Sequence, residues 1–294
     1  MKVSPYVSRL ELADELLDIR TQAGHSSETL SLATGIQRQK ISHMETARRR
    51  VGPESVEAIL TCLSVESSRF DYVMRLALRA AEAGWWERFD DEMGPRQART
   101  ADLEQGADDI FQYHPFLFPG LLQTEAFAKV RAEADRPASN RRFSTARMLE
   151  ARMRRQAILS GPDATPLEVV LDEAVLLRRS APAEVMQEQL EHLVGCALNQ
   201  RSVTVRVLPF SADMNRHVQA RTAFSHYTYT DPDSMVVVVD TNVDDMLFHD
   251  RARKCHDKVA VYKDLVAQLQ RSALSPSESV EFLTRAAEDD LSRR

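Results

Sequence analysis

The sequence is poor in cysteine and glycine, and both shortages exclude classes of site. The three cysteines, Cys62, Cys196 and Cys255, have long, irregular spacing and form no CxxC pair, so we expect reduced thiols rather than disulfides or a zinc site. With nine glycines and neither a Walker loop nor a GxGxxG motif, no nucleotide-binding loop is expected. The eight histidines lack HExxH and HxH spacing. We therefore expect no cofactor and no metal.

Long apolar runs are also missing. The longest, Met235 to Val239, is far shorter than the ~18 residues that a membrane-spanning helix requires. The first residues contain no continuous apolar stretch of the kind found in secretory signals. We therefore expect a cytoplasmic protein without a membrane partner.

The charges are balanced overall but sorted locally. A net charge of −6 argues against a uniformly basic, nucleic-acid-coating surface, yet it allows a local basic patch. Residues 36–50 contain five basic residues against Glu45 alone, whereas residues 11–28 contain five acidic residues against Arg20 alone. Such sorting is typical of a compact nucleic-acid-binding domain. On charge alone, an ordinary solvated surface explains it equally well.

Apolar residues at helical spacing predict five helices within residues 1–83. The second helix is capped by Ser26 or Ser27 and stops at Gly35, and the third covers about residues 37–45. Two short helices joined at a glycine are typical of a helix-turn-helix.

The remainder of the chain mixes helices with short strands. Residues 84–105 are polar and contain Gly94-Pro95, so they are predicted to be a linker. Trp85 and Trp86 are expected to anchor this linker against one domain. The alternative role for the two tryptophans is stacking on bases. Strands are predicted near residues 167–171, 203–207, 222–230 and 235–239. The predicted fold is an N-terminal all-α five-helix helix-turn-helix domain (1–83) and a C-terminal α+β domain (106–294) with a small, mainly antiparallel sheet and several helices.

Two motifs in the N-terminal part carry a family resemblance. They are Leu16-x3-Arg20-x3-Gly24 and Thr34-Gly35-Ile36-Gln37-x3-Ile41-Ser42-x-Met44-Glu45-x2-Arg48-Arg49. Residues 9–65 thereby resemble the XRE (phage repressor-like) helix-turn-helix family, which implies that the third helix reads DNA. Two positions depart from its pattern. Ser27 replaces a glutamine that touches DNA, and Ala47 replaces a glycine, so that a left-handed cap there is expected to be strained.

A second set of motifs extends over the rest of the chain. In order, these are Gly84-Trp85-Trp86, Phe118-Pro119-Gly120-Leu121-Leu122-Gln123-Thr124-Glu125, Arg155-Gln156, Leu171-Asp172-Glu173-Ala174, Gln189-Leu190 and Val207-Leu208-Pro209-Phe210. They resemble a large actinobacterial family that joins an XRE domain to an uncharacterised C-terminal domain and includes WhiJ-like, antitoxin-like transcriptional regulators. The resemblance implies a DNA-binding regulator, often encoded beside a small partner protein. It implies no chemistry for the C-terminal domain.

The third helix supplies the candidate DNA contacts. Residues on its outer face are expected to read bases, namely Gln37, Arg38, Gln39, Ser42 and His43. Arg38 can bind guanine O6 and N7 through two donors, and Gln39 can bind adenine N6 and N7. The resemblance puts base reading on Arg38, Gln39 and His43. Residues expected to contact phosphates are Ser27, Lys40, Arg48, Arg49 and Arg50.

An enzyme is the alternative. Asp240-Thr241-Asn242 after a valine-rich strand matches the opening of small PIN-type ribonucleases, although that fold has the motif at its start. Asp172-Glu173 after a strand matches a pair of acid/base carboxylates, although a helix cap is the commoner use. We therefore assign no catalytic residue. A DNA-targeted metal-dependent nuclease or other hydrolase, with its site in the C-terminal domain, remains the second hypothesis.

The sequence thus predicts a sequence-specific DNA-binding transcriptional regulator that is not an enzyme. Its expected partners are double-stranded DNA, a second copy of the chain, a small protein encoded nearby and an unidentified small-molecule effector. A homodimer is expected because one short helix covers only a few base pairs. A third hypothesis, an interaction module with a vestigial helix-turn-helix, is disfavoured by the presence of Arg38, Gln39 and three consecutive arginines.

Overall fold

The computed structural model describes residues 2–134, 143–213, 219–230, 233–252 and 255–292. Helices make up the N-terminal part, and the sheet lies in the C-terminal part. The N-terminal helices are α1 (Pro5–Gln22), α2 (Ser27–Thr34), α3 (Arg38–Met44), α4 (Pro53–Cys62) and α5 (Ser67–Ala80). The predicted all-α N-terminal part is confirmed, and we call these five helices the helical unit.

Local signals in the sequence set the helix boundaries. Ser26 is the N-cap of α2, and its hydroxyl accepts from the Thr29 amide while the Thr29 hydroxyl accepts from the Ser26 amide. Gly35 ends α2 with a φ of 71°, which glycine adopts without strain. Pro53 opens α4, where its fixed φ suits the first helical position.

Apolar faces of all five helices form one core. It contains Leu12, Leu16, Ile19, Leu30, Ile41, Met44, Val56, Ile59, Leu60, Val73 and Leu76. Full burial of such a side chain contributes about 1.5–3 kcal/mol before entropy costs. The short helices α2 and α3 depend on this packing, because helices of that length are unstable alone.

Residues 84–105, the predicted linker, are helical. A 3₁₀ turn over Trp85–Phe89 leads into α6 (Asp90–Gly106), whose helical geometry is interrupted at Gly94 with a φ of 63°. Trp86 and Phe89 are buried with Ala151 of a later helix, so the predicted anchoring role of the tryptophan pair is confirmed for Trp86.

The C-terminal part contains one mixed sheet. Its strands are β1 (Asp109–His114), β2 (Leu167–Asp172), β3 (Val203–Leu208), β4 (Phe224–Thr230), β5 (Asp233–Val239) and β6 (Met246–His249). The strand order is β3-β2-β1-β4-β5-β6. The β1–β2 and β2–β3 pairs are parallel, and the other three pairs are antiparallel. The predicted α+β class is confirmed; β1 and β6 were not predicted.

Helices cover both faces of this sheet. They are α7 (Glu125–Ala134), α8 (Thr145–Gln156), α9 (Glu173–Leu177), α10 (Ala183–Asn199), α11 (His256–Ser272) and α12 (Pro276–Ser292). Side chains such as Ile110 and Tyr227 pack with α10 and α12 on one face. Their neighbours Phe111 and Phe224 face the other way and pack with α11, as the alternation of a strand requires.

Helix α1 belongs to both parts of the molecule. Val7 is buried in the core beneath the sheet, whereas Leu12 and Leu16 are buried in the helical unit. The Ser4 hydroxyl donates to Asp102 of α6 at 2.6 Å. The division at residue 83 stays a prediction, since these contacts cross it. Within the described ranges, no helix is long and apolar enough to span a membrane.

Candidate nucleic-acid interface

Helices α2 and α3 form two consecutive short helices joined by a tight turn. Gly35 provides the left-handed residue of the turn, and the Ser31 hydroxyl donates to the Ile36 carbonyl at 2.7 Å. Ile41 and Met44 are buried, so one face of α3 is held against the helical unit. The opposite face of α3 is thereby turned to solvent.

The expected base-reading residues all lie at this outer face of α3. Gln37 is the N-cap residue, and Arg38 and Gln39 occupy the first turn, all three exposed. Ser42 is exposed and His43 half-buried. Side chains of a first helical turn are those that reach base edges when such a helix enters a major groove.

The expected phosphate-contacting residues surround that face. Lys40, Arg48, Arg49 and Arg50 are exposed, and Ser27 is the half-buried first residue of α2. The Lys40 ammonium donates to the Ser55 hydroxyl at 2.6 Å. Arg50 forms an ion pair with Glu87, so a phosphate would have to compete with that carboxylate for it. We call the exposed surface of residues 37–40, 42 and 48–50 the basic face.

An ion pair removes the one acidic side chain of residues 36–50 from this face. Glu45 accepts from Arg20 of α1, with Nε–Oε1 2.5 Å and Nη2–Oε2 3.0 Å, and both side chains are largely buried. Paired, hydrogen-bonded charges of this kind hold a defined geometry. The pair ties the end of α3 to α1 and leaves the basic face without an opposing carboxylate from its own segment.

The turn after α3 contains a strained alanine. Ala47 has a φ of 51°, a left-handed conformation that costs an L-residue roughly 1–2 kcal/mol. The strain expected from the sequence at this position is confirmed. The left-handed conformation of Ala47 turns the chain between the end of α3 and Arg48, Arg49 and Arg50.

The carboxylates considered for catalysis lie in the C-terminal part. Asp172 caps α9 by accepting from the Ala174 amide at 3.0 Å, the structural role expected of it, while Glu173 accepts from the Phe210 amide at 2.7 Å. Asp240 follows β5 near Asp245, and burial together with that neighbouring carboxylate raises the pKa of Asp240 to about 6. Among the described residues, no group of three or more His, Cys, Asp or Glu could hold a metal ion. The described residues therefore provide no set of metal ligands that would support the nuclease hypothesis.

The sequence pattern of a family described as a domain of unknown function, DUF5753, matches residues 97–285. That stretch is more than half of the chain. The chain belongs to the DUF5753 family. The DUF5753 match begins within α6, just after the interruption at Gly94, and extends into α12, so it includes the whole sheet and leaves out the helical unit. It confirms the expected uncharacterised C-terminal domain. No curated protein matches the chain, and no solved structure matches it.

The roles of two groups of residues in the DUF5753 part were not predicted from the sequence. His249 of β6 contacts Glu11 of α1 at 3.0 Å, and Gln112 and His114 of β1 lie beside a polar cavity. The alternation of Ile110, Gln112 and His114 with Phe111 and Tyr113 is the signal that could have revealed β1.

Proposed function

We propose that the chain is a sequence-specific DNA-binding transcriptional regulator of the XRE type, in which α2 and α3 form the helix-turn-helix. In this proposal α3 enters the major groove, and the base-reading residues are Gln37, Arg38, Gln39, Ser42 and His43. The residues that contact phosphates are Ser27, Lys40, Arg48, Arg49 and Arg50.

The observation that carries the proposal is the basic face itself. Its side chains project from one helix and the turn that follows, while Ile41 and Met44 anchor that helix from behind. Glu45 is occupied by Arg20, so the local field at the face is positive. A protein of net charge −6 that concentrates positive charge on one short helix is suited to a local contact with phosphates rather than to general coating of nucleic acid.

The DUF5753 part has the regulatory roles in this proposal. The resemblance to WhiJ-like, antitoxin-like regulators supports binding of a small protein encoded nearby. The shortness of α3 supports homodimerisation, because one copy covers only a few base pairs. Binding of an unidentified small-molecule effector is the third proposed role. The proposed division is a DNA-binding domain (1–83), a connecting segment (84–105) and a regulatory domain (106–294). The proposed location is the cytoplasm, at the nucleoid.

Selection of genomic DNA fragments with the full-length chain tests the proposal. We expect a recurrent motif made of two inverted half-sites with centres about 34 Å, one DNA turn, apart. Fragments recovered without any shared motif would contradict sequence-specific binding.

Matched variants distinguish the basic face from general electrostatics. The double variant Arg38→Ala/Gln39→Ala should lose the motif, because both residues can form bidentate hydrogen bonds to base edges, arginine with two donors and glutamine with one donor and one acceptor. Arg75→Ala, an exposed arginine of α5 outside the helix-turn-helix, should recover the same motif as the wild-type chain. Circular dichroism confirms that each variant is folded. Recovery of an unchanged motif by the double variant would place recognition elsewhere.

A further inference from the structure

A polar cavity of about 190 Å³ lies at one end of the sheet in the DUF5753 part. Strands β1 and β5 are each antiparallel to β4, so they run in the same direction and end at the same edge. The last residue of β1, His114, and the residue after β5, Asp240, therefore both line the cavity. Helices α6 and α8 contribute Arg96 and Arg155 to the lining.

Gln112 presents an unsatisfied polar group to this cavity. It lies on the same face of β1 as the core residue Ile110 and is only 5% exposed. Its Nε2 donates to the Ser225 hydroxyl at 3.3 Å, whereas its Oε1 has no hydrogen-bond partner among the described residues. Burial of a polar atom without a partner is unfavourable unless a ligand or water satisfies it.

Asp240 is the second acceptor at the cavity. Its side chain makes no hydrogen bond in the part of the chain that the structure describes. The neighbouring cation Arg96 is already engaged, since it binds Asp245 through Nε at 2.9 Å and the Thr241 carbonyl through Nη1 at 3.0 Å. Asp240 thus lines the cavity without a hydrogen-bond donor among the described residues.

Arg155 provides a positively charged hydrogen-bond donor. Its Nε and Nη2 donate to Glu104 at 2.8 and 2.6 Å, and its side chain is 11% exposed. A guanidinium has five N–H donors, so Nη1 retains two that no described residue accepts. The cavity therefore presents two acceptors, Oε1 of Gln112 and the Asp240 carboxylate, together with a cationic donor, Nη1 of Arg155. Arg96, Arg131 and Arg152 also line it.

We propose that this cavity binds a small zwitterion of the amino acid class. The ammonium group of the ligand donates to Asp240 and to Oε1 of Gln112, and its carboxylate accepts from Nη1 of Arg155. A simple anion would leave Oε1 of Gln112 and the Asp240 carboxylate unpaired, and a simple amine would leave Nη1 of Arg155 unpaired. The cavity volume of about 190 Å³ is large enough for a small amino acid.

Isothermal titration calorimetry on the full-length chain tests the proposal with glycine, alanine and serine as probes. Acetate and methylamine are the half-ligands, each with one of the two charges. We expect saturable binding of at least one amino acid, at least about tenfold tighter than either half-ligand, because only the zwitterion satisfies both sides of the cavity. No saturable binding up to about 10 mM, or acetate binding as tightly as the amino acids, would overturn the proposal.

Matched variants locate the binding. Asp240→Asn should weaken it by about 10- to 100-fold, because it removes a hydrogen bond between charged groups. Asp244→Asn, an exposed carboxylate in the same loop, is the control and should bind as the wild-type chain does. Gln112→Met keeps the volume but removes the acceptor, so it should also weaken binding and provides an independent test if Asp240→Asn fails to fold. Wild-type affinity in either folded cavity variant would overturn the assignment of this cavity.

Discussion

Oε1 of Glu11 lies 3.0 Å from Nε2 of His249, so that the first helix of the helical unit is joined to the edge strand β6 of the sheet. Both side chains are buried, and Asp14 lies 3.5 Å from the other ring nitrogen. Arg251 also contacts Glu11, at 3.3 Å. Burial acts against the charged imidazole, but the two carboxylates outweigh it and raise the pKa of His249 to about 9.

This relationship predicts that stability falls in mildly alkaline solution. Because the pKa of His249 is about 9 in the folded chain and about 6.5 in an unfolded one, its contribution is complete below pH 6.5 and is lost as the pH rises to 9. The loss is on the order of 3 kcal/mol. Urea denaturation between pH 6.5 and 9 measures it.

His249→Gln should remove most of that pH dependence, whereas His256→Gln, at an exposed position, should retain it. Equal pH dependence in wild type and His249→Gln would mean that another group titrates.

The arginines of the basic face are expected to differ in their effect on DNA binding. Arg38→Ala should cost roughly 1–3 kcal/mol at the selected site and relax the preference for one base, since Arg38 projects from the first turn of α3. Arg49→Ala should weaken binding to selected and scrambled DNA alike. It should also reduce the magnitude of the negative slope of log K against log salt concentration by about 0.9.

Salt titrations with both DNAs provide these values for each variant. The opposite pattern, in which Arg49→Ala alters base preference and Arg38→Ala does not, would show that α3 is not oriented in the groove as proposed.

The strained turn after α3 predicts a stabilising substitution. Ala47→Gly should raise the free energy of unfolding of the helical unit by about 0.5–1 kcal/mol, since relief of the left-handed strain exceeds the added entropy of the unfolded chain. Thermal unfolding monitored by circular dichroism measures the change.

Ala33→Gly is the matched control for that substitution. Ala33 is exposed within α2, where glycine should destabilise by about 0.5–1 kcal/mol. Destabilisation by both substitutions would mean that Ala47 is not strained in solution.

Self-association is expected at micromolar concentration. One α3 covers only a few base pairs, so two copies are needed to read a site of useful length. Light scattering of the full-length chain should give about twice the monomer mass of 33.3 kDa without DNA, and that mass plus the mass of the duplex when DNA is bound. A monomer under both conditions would require a different mode of site recognition.

The sequence alone was sufficient for the elements that local signals define. Such signals act on atoms only a few residues away, so they can be recognised in a short stretch of sequence. Examples are the caps at Ser26 and Ser275, the left-handed Gly35 and the helix start at Pro53. The alternation of Val203, Val205 and Val207 likewise predicted β3. The outward position of Arg38 and Gln39 follows from the inward spacing of Ile41 and Met44.

Only the tertiary structure decided what residues distant in sequence do together. The inward position of the polar residues Gln112 and His114 on β1 is one example, because the cavity that accommodates them is formed by other strands and helices. Residues 84–105 have the composition of a linker, yet α6 is helical because α1 and α8 pack against it. Pairs such as Arg20–Glu45 and Glu11–His249 join segments far apart in the chain, and their contact depends on packing of whole elements rather than on any local preference.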